Sequence, residues 1–313
     1  GWLLVALGGI GTSAGYLVAA GAASLIEPHF SWRALWLLGL PTGALIIFLG
    51  RFIPESPRFL LNAGLRKEAQ SVLSRFSARI DDGDPPPAAP DAANTTHRLL
   101  RGVYAPITAG LVVCGVAWGL VNFGFLLWLP TNLIAMGMDA SAASALLAQS
   151  AILSVPGVAV VIWMYHRWSS IKTLVVFIAL TTFALLSFFV MGLMGAISEL
   201  AMIGATALML VSASGVIAML IPYAAEIYPV YLRGTGSGVV AASSKFGGIL
   251  GAAFGVVGLF ESFTLSALVI AAPMAVSGVM LARSGIETRG RRLEDIQSLL
   301  EGGKAALDTG GAR

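Results

Sequence analysis

The stretch PESPRFL, residues 54–60, follows directly on an apolar run, and IETRGRRLEDI, residues 286–296, follows on another. In each a glutamate stands just past the run, Glu55 in the first and Glu287 in the second, 232 positions apart. The same offset puts Pro41 on Pro273 and Arg51 on Arg283. One run earlier, an offset of 233 puts Gly1 on Gly234, Gly15 on Gly248, and Ala19 and Ala20 on Ala252 and Ala253. Both of those runs carry G-x-x-x-G spacing, at Gly11 and Gly15 and at Gly247, Gly251 and Gly255. Matches across two successive runs with similar loops indicate an internal duplication.

What is duplicated follows from composition. Of 313 residues, 57% are hydrophobic and 11% charged, against roughly 25% charged in a soluble domain. A bilayer span needs about 20 mostly apolar residues, and eight such runs succeed one another, at 2–26, 34–52, 105–129, 142–165, 171–191, 198–221, 235–259 and 264–283. The chain reads as an all-α polytopic membrane protein, with glycine and alanine supplying close helix contacts. Lys and Arg set its orientation. Loops and tails on the side holding 53–104 carry 17 of the 19 basic residues, Arg33 lies opposite, and Lys245 lies within a run. That side is expected to be cytoplasmic, with the C-terminus there, in a multi-pass protein of the cell membrane.

Between the second and third runs, Pro57 to Phe76 has the spacing of a short amphipathic helix. DDGDPPPAAPDAANTT, 81–96, reads as an extended linker. After Arg292 the tail has the pattern of one short helix. Two copies related by an axis along the membrane normal are a mark of transporter folds. If a copy has six spans, the last six runs are one whole half and the first two close the other. The expected division is then 1–52 for the last two helices of the first half, 53–104 for the inter-half loop, 105–285 for the second half and 286–313 for the tail. The chain opens on Gly1 without a basic n-region, so we read it as a fragment holding helices five to twelve of twelve.

PESPRFL, ETRGRRLEDI and EIYPVYLRGTGSG (226–238) resemble motifs of the major facilitator superfamily, in particular its sugar-porter and metabolite-symporter branches. The last is similar to that family's E-x-x-P-x-x-x-R-G loop before helix eleven, and ETRGRR resembles its PETKGR ending with Ile286 at the proline. YHRWSSIK, 165–172, departs from the family's D-R-x-G-R-[RK] loop: His166 stands at the Asp, and Ser169 and Ser170 at the Gly and Arg. The resemblance implies a helical bundle working by alternating access. It also implies a cytoplasmic gate at Glu226 and Arg233, with Arg167, Glu55 and Glu287 in the matching loops.

Lys245 is the residue that points to a solute. It lies 11 positions beyond Gly234, about 16 Å along a helix, near the middle of a ~30 Å hydrocarbon core. A central lysine costs about 2.5–3.5 kcal/mol to insert, so a partner is expected: a group from outside this chain, water, or a substrate anion. A structural ion pair is the competing reading. Trp118, Asn122 and Phe125, at i, i+4 and i+7, fall on one face of a regular helix and would suit a planar organic solute; packing against neighbours is the alternative. Tyr16 and Ser244 complete the candidate set, and Ser150 and Ser212 are weaker candidates, more simply read as bonding their own backbone or a neighbouring helix.

The expected function is secondary transport of a small organic acid, coupled to protons by inference from the family. A sugar or polyol carrier, a drug exporter, and a non-transporting receptor or scaffold derived from a carrier are the alternatives. No nucleotide-binding loop, metal-ligand cluster or basic face for nucleic acid is present in the sequence. We therefore expect no enzyme activity, no cofactor and no metal, with a small solute, protons and the bilayer as partners of a monomer.

Overall fold

The computed structural model describes residues 32–77, 104–135, 159–165, 167–194, 198–259 and 263–290, with a few isolated positions between them. Every regular element among the described residues is helical. In hydrocarbon each backbone N–H and C=O must find a partner within the protein, and a helix satisfies them within one segment. The described residues fall into two compact units, one below position 92 and one from 93 onward.

In the first unit a 3₁₀ segment, Trp32–Leu38, runs into α1, Gly39–Gly50. Together they rise roughly 30 Å, a bilayer core, although the α-helical part alone is short for a span. Where one amphipathic helix is expected over 57–76 there are two, α2 (Pro57–Asn62) and α3 (Arg66–Arg75). Gly64 causes the break: it adopts φ +77, and the Leu65 N–H then donates back to the Leu60 carbonyl at 2.8 Å. That left-handed residue and reversed bond close a helix in the Schellman manner. Leu60, Ala69 and Val72 are buried between the pair.

The second unit holds α4 (Tyr104–Gly119), a π-helical turn (Leu120–Leu126) and α5 (Leu127–Ala135) as one rod. It continues with α6 (Ser170–Met194), α7 (Glu199–Ile227), α8 (Val230–Val256) and α9 (Phe263–Ser284). Among the described residues, five stretches are long and apolar enough to cross a membrane: Tyr104–Ile134, Ser170–Met194, Glu199–Ile227, Leu232–Val256 and Thr264–Ser284. Of the other expected spans, 2–26 lies outside the described residues. The span 142–165 lies largely outside them, with 159–165 helical. The 81–96 linker and the tail helix also lie outside.

Contacts close the five rods into a ring: α7 on α6, α6 on α9, α9 on α4, α4 on α8 and α8 on α7. Phe125, Phe177, Phe188, Met209, Met219 and Met274 are buried in it. Several hydroxyls within the rods turn onto their own backbone, as Thr181 does onto the Phe177 carbonyl at 2.8 Å and Ser277 onto Met274 at 2.7 Å. This satisfies them without a neighbour.

Between α4 and α8 the approach is backbone to backbone. A Cβ added at Gly247 would lie 2.9 Å from the Val116 Cα, and one at Gly251 would lie 2.9 Å from the Gly124 nitrogen. One at Gly119 would run into the Ser244 carbonyl. Only hydrogen fits in this seam, which is the use of the G-x-x-x-G spacing.

Candidate functional site

Two constellations emerge, one part-way along α8 and one at an end of the bundle. The first depends on KFGGILG, 245–251. Gly247 admits the backbone of α4, and Gly248 leaves a notch filled by the Phe123 ring. One turn before that notch, the Lys245 ammonium lies 5.6 Å from the Phe123 ring centroid, within the range of cation–π attraction. Phe123 in turn meets Trp118 edge-to-face at 6.1 Å. The indole N–H of Trp118 donates to the Ala213 carbonyl of α7 at 2.8 Å. The cluster therefore stands where α4, α7 and α8 meet. Trp118 and Phe123 are half-buried and Lys245 is exposed among the described residues.

Other expected members lie elsewhere. The π turn breaks the assumption of a regular helix: with i−5 bonding, positions i and i+7 no longer share a face. Phe125 is buried and packs on Phe188 at 5.1 Å, turned into the core. Asn122 stays half-buried and donates to the Trp118 carbonyl one turn back at 3.2 Å. Ser244 is buried and donates to Ala241 of its own helix at 2.8 Å. Ser212 likewise bonds its own helix, and the Ser150 hydroxyl lies 2.7 Å from the Leu146 carbonyl and 3.3 Å from the Ile203 carbonyl of α7. Trp128 rests against Gly255. Tyr16 is outside the described residues.

The second constellation gathers the α4 and α6 N-termini, the α7–α8 junction and the segment after α9. Tyr228 precedes Pro229, which disfavours helical backbone in the residue before it, and α7 stops there with Tyr228 at ψ 137. The buried Tyr228 ring occupies the space that Gly236 leaves, and its hydroxyl pairs with Thr108 of α4 at 2.8 Å. Nearby, Tyr223 donates to the Ile286 carbonyl at 2.8 Å and accepts from the Ile286 N–H at 2.9 Å. This holds the segment after α9 against α7.

Among the described residues, Glu226 and Glu287 are the carboxylates of this end. Glu226 accepts from the Tyr165 hydroxyl at 3.0 Å and from Thr288 at 2.6 Å. Glu287 accepts from the Ser170 hydroxyl at 2.6 Å, the Ser170 N–H at 3.0 Å, the Arg289 N–H at 2.9 Å and the Ser169 hydroxyl. Burial works against ionisation of Glu287, but these donors outweigh it and hold the carboxyl below its ordinary value of 4.5. Glu287 therefore stays ionised at neutral pH and is not poised to carry a proton. Arg167 contributes through its backbone: its carbonyl and that of Trp168 accept from the Arg289 guanidinium at 2.7 and 2.8 Å. Arg233 is half-buried in the first turn of α8. Glu55, in the other unit, is exposed and accepts from the adjacent Ser56 N–H at 3.0 Å.

A family model described as Major Facilitator Superfamily matches residues 3–252, most of the chain. The chain belongs to the Major Facilitator Superfamily. Among its relatives in the superfamily is the "Niacin transporter NiaP" of Acinetobacter baylyi, 26% identical over 298 residues, covering 90% of this chain and 65% of that protein. Another is the "4-hydroxybenzoate transporter PcaK" of Pseudomonas putida, 29% identical, covering 81% of this chain and 58% of that protein. The chain thus spans about two-thirds or less of the length of these relatives. A solved structure of the proton:xylose symporter XylE superposes with a TM-score of 0.72 at 18% identity, covering 95% of this chain and 66% of that one. At such identity the likeness establishes the fold. The superfamily match and the solved structure together identify a multi-pass helical transporter fold.

The superfamily motifs located the end constellation, but not its chemistry. Ser169 and Ser170, which depart from the motif, are donors to Glu287, and the Thr288 N–H donates to the Ser170 hydroxyl oxygen at 3.2 Å. Phe123 was missed as well. Its signal was Gly248, a second glycine beside Gly247 with no backbone to admit.

Proposed function

We propose that this chain serves in secondary transport of a small organic acid bearing a planar ring, driven by protons. The observation that carries this reading is the Lys245 ammonium set against the Phe123 ring, with Trp118 behind, part-way along a spanning helix. An ammonium there costs free energy unless an anion or water answers it, and the rings offer a face for stacking. Niacin and 4-hydroxybenzoate, named for two relatives, are both aromatic acids, which supports the same class. In this reading Asn122 orients the solute, and Phe125 and Ser244 act through packing.

The proton-carrying carboxylate is expected outside the described residues, because Glu55, Glu68, Glu199, Glu226 and Glu287 all lie at helix ends or in loops. The bonded end constellation acts as the inner gate, opening as helices rock. Its intact bonding at Ser169 and Ser170 also weakens the alternative of a carrier decayed into a scaffold. The division into 1–52, 53–104, 105–285 and 286–313, a monomeric state and a cell-membrane location with a cytoplasmic C-terminus belong to the same proposal. The clustering of Arg167, Lys172, Arg283 and Arg289 at one end supports that orientation. A protease-cleavable tag after residue 313 should be cut only from the cytoplasmic side, and cutting from outside would reverse the orientation.

For the solute, uptake of radiolabelled nicotinate, 4-hydroxybenzoate, an aliphatic acid and a sugar is compared in cells expressing the protein. The two aromatic acids are expected to accumulate above the others, and more at acidic external pH. Accumulation of the sugar alone would end this reading.

A further inference from the structure

The outer faces of α6 and α9 enclose a groove of about 370 Å³, and both the groove and its surroundings point to a ligand other than the solute. It exists because the residues facing each other across it are small: Ala179 on α6, and Ala275, Gly278 and Ala282 on α9. Phe183 and Leu186, both exposed, form one wall. The polar group in the groove, Thr182, turns its hydroxyl onto the Ile178 carbonyl at 2.9 Å, so the surface offered is apolar. Along α6 the groove runs from Val175 to Leu186, about 16 Å. That is half of a ~30 Å bilayer core, the depth of one leaflet.

The mouth of the groove is charged. Lys172 lies three positions before Val175 and Arg283 four positions after Val279, each on the same helical stripe as the groove residues. Both are exposed, and neither makes an ion pair with a described residue. Long basic side chains at a helix end reach the head-group layer while their stems stay in hydrocarbon. We propose that this groove is a binding site for an anionic phospholipid of the adjoining leaflet. One acyl chain lies along Val175–Leu186, and the phosphate is held between Lys172 and Arg283. The charge at the mouth selects this occupant: an apolar groove alone would take any lipid, whereas two cations at head-group depth favour a net negative one. The site is separate from the Lys245 cluster and does not depend on the solute.

Native mass spectrometry tests it on the purified chain released from detergent with equal amounts of phosphatidylglycerol and phosphatidylcholine. A basic residue near the surface is worth about fivefold in affinity for anionic lipid, so about twenty-five-fold preference for phosphatidylglycerol is expected from the pair. The double substitution Lys172→Gln with Arg283→Gln, at exposed positions, is expected to abolish that preference. Ala179→Phe, which fills the groove from an exposed position, is expected to remove the retained lipid of both kinds. Equal retention of the two lipids by the unsubstituted chain would overturn the proposal. So would a preference unchanged by the double substitution. A cross-linked dimer through Ala179→Cys would assign the groove to a second copy instead.

Discussion

Lys245→Ala is expected to weaken binding of an aromatic carboxylate by about two orders of magnitude, the loss that follows from removing a hydrogen bond to a charged group. Lys245 is a cationic side chain part-way along a span, and it stands beside two rings that would hold the organic part of the solute. Lys245→Arg keeps the charge and should retain most of the affinity. Phe123→Leu keeps bulk but removes the ring face, with a loss of about 0.5–2 kcal/mol. Titration calorimetry with nicotinate or 4-hydroxybenzoate gives the constants, and uptake follows the same order. The alanine chain should reach the membrane at least as well as the parent, because an inserted charge has been removed. An unchanged Kd in the alanine chain would take Lys245 out of the site.

The second large effect is structural. Gly247→Leu should destabilise the bundle by about 3 kcal/mol or more, at the upper end for overpacking. The added side chain meets the Val116 backbone, and a main chain cannot swing aside as a flexible side chain can. α4 and α8 must then separate, and the whole seam from Gly119 to Gly251 opens with them. Gly238→Leu on the same helix is the control, since a Cβ there meets nothing within 4 Å. It should be neutral, or slightly stabilising through higher helix propensity. Melting in detergent, followed by near-ultraviolet circular dichroism, distinguishes the two. Equal melting temperatures for both would show that the seam has slack.

Membrane character and the superfamily were legible because they rest on long-range averages: run length, charge placement and a repeat that survives scattered substitution. The glycines were legible as close-contact residues, although not which partner each admitted. Reading failed where one residue changes a period. The π turn at Leu120–Leu126 leaves no mark in hydrophobic spacing, so Phe125 was assigned the face that Phe123 holds. Gly64 was overlooked inside an amphipathic pattern that continues on both sides of it. At the end constellation a motif comparison scores Ser170 as a lost charge. In the folded chain the short Ser170 hydroxyl and its backbone N–H together hold the Glu287 carboxylate where the motif has an arginine.

In the proposed gate, that replacement affects how the end constellation lets go. The attraction of an ion pair falls as the inverse of distance and still pulls several ångströms after contact is lost. A hydrogen bond to a hydroxyl weakens steeply outside a narrow range of length and angle. The grip of Ser169 and Ser170 on Glu287 thus behaves as a snap catch and not a spring: firm at rest, and spent after a very short travel of the tail.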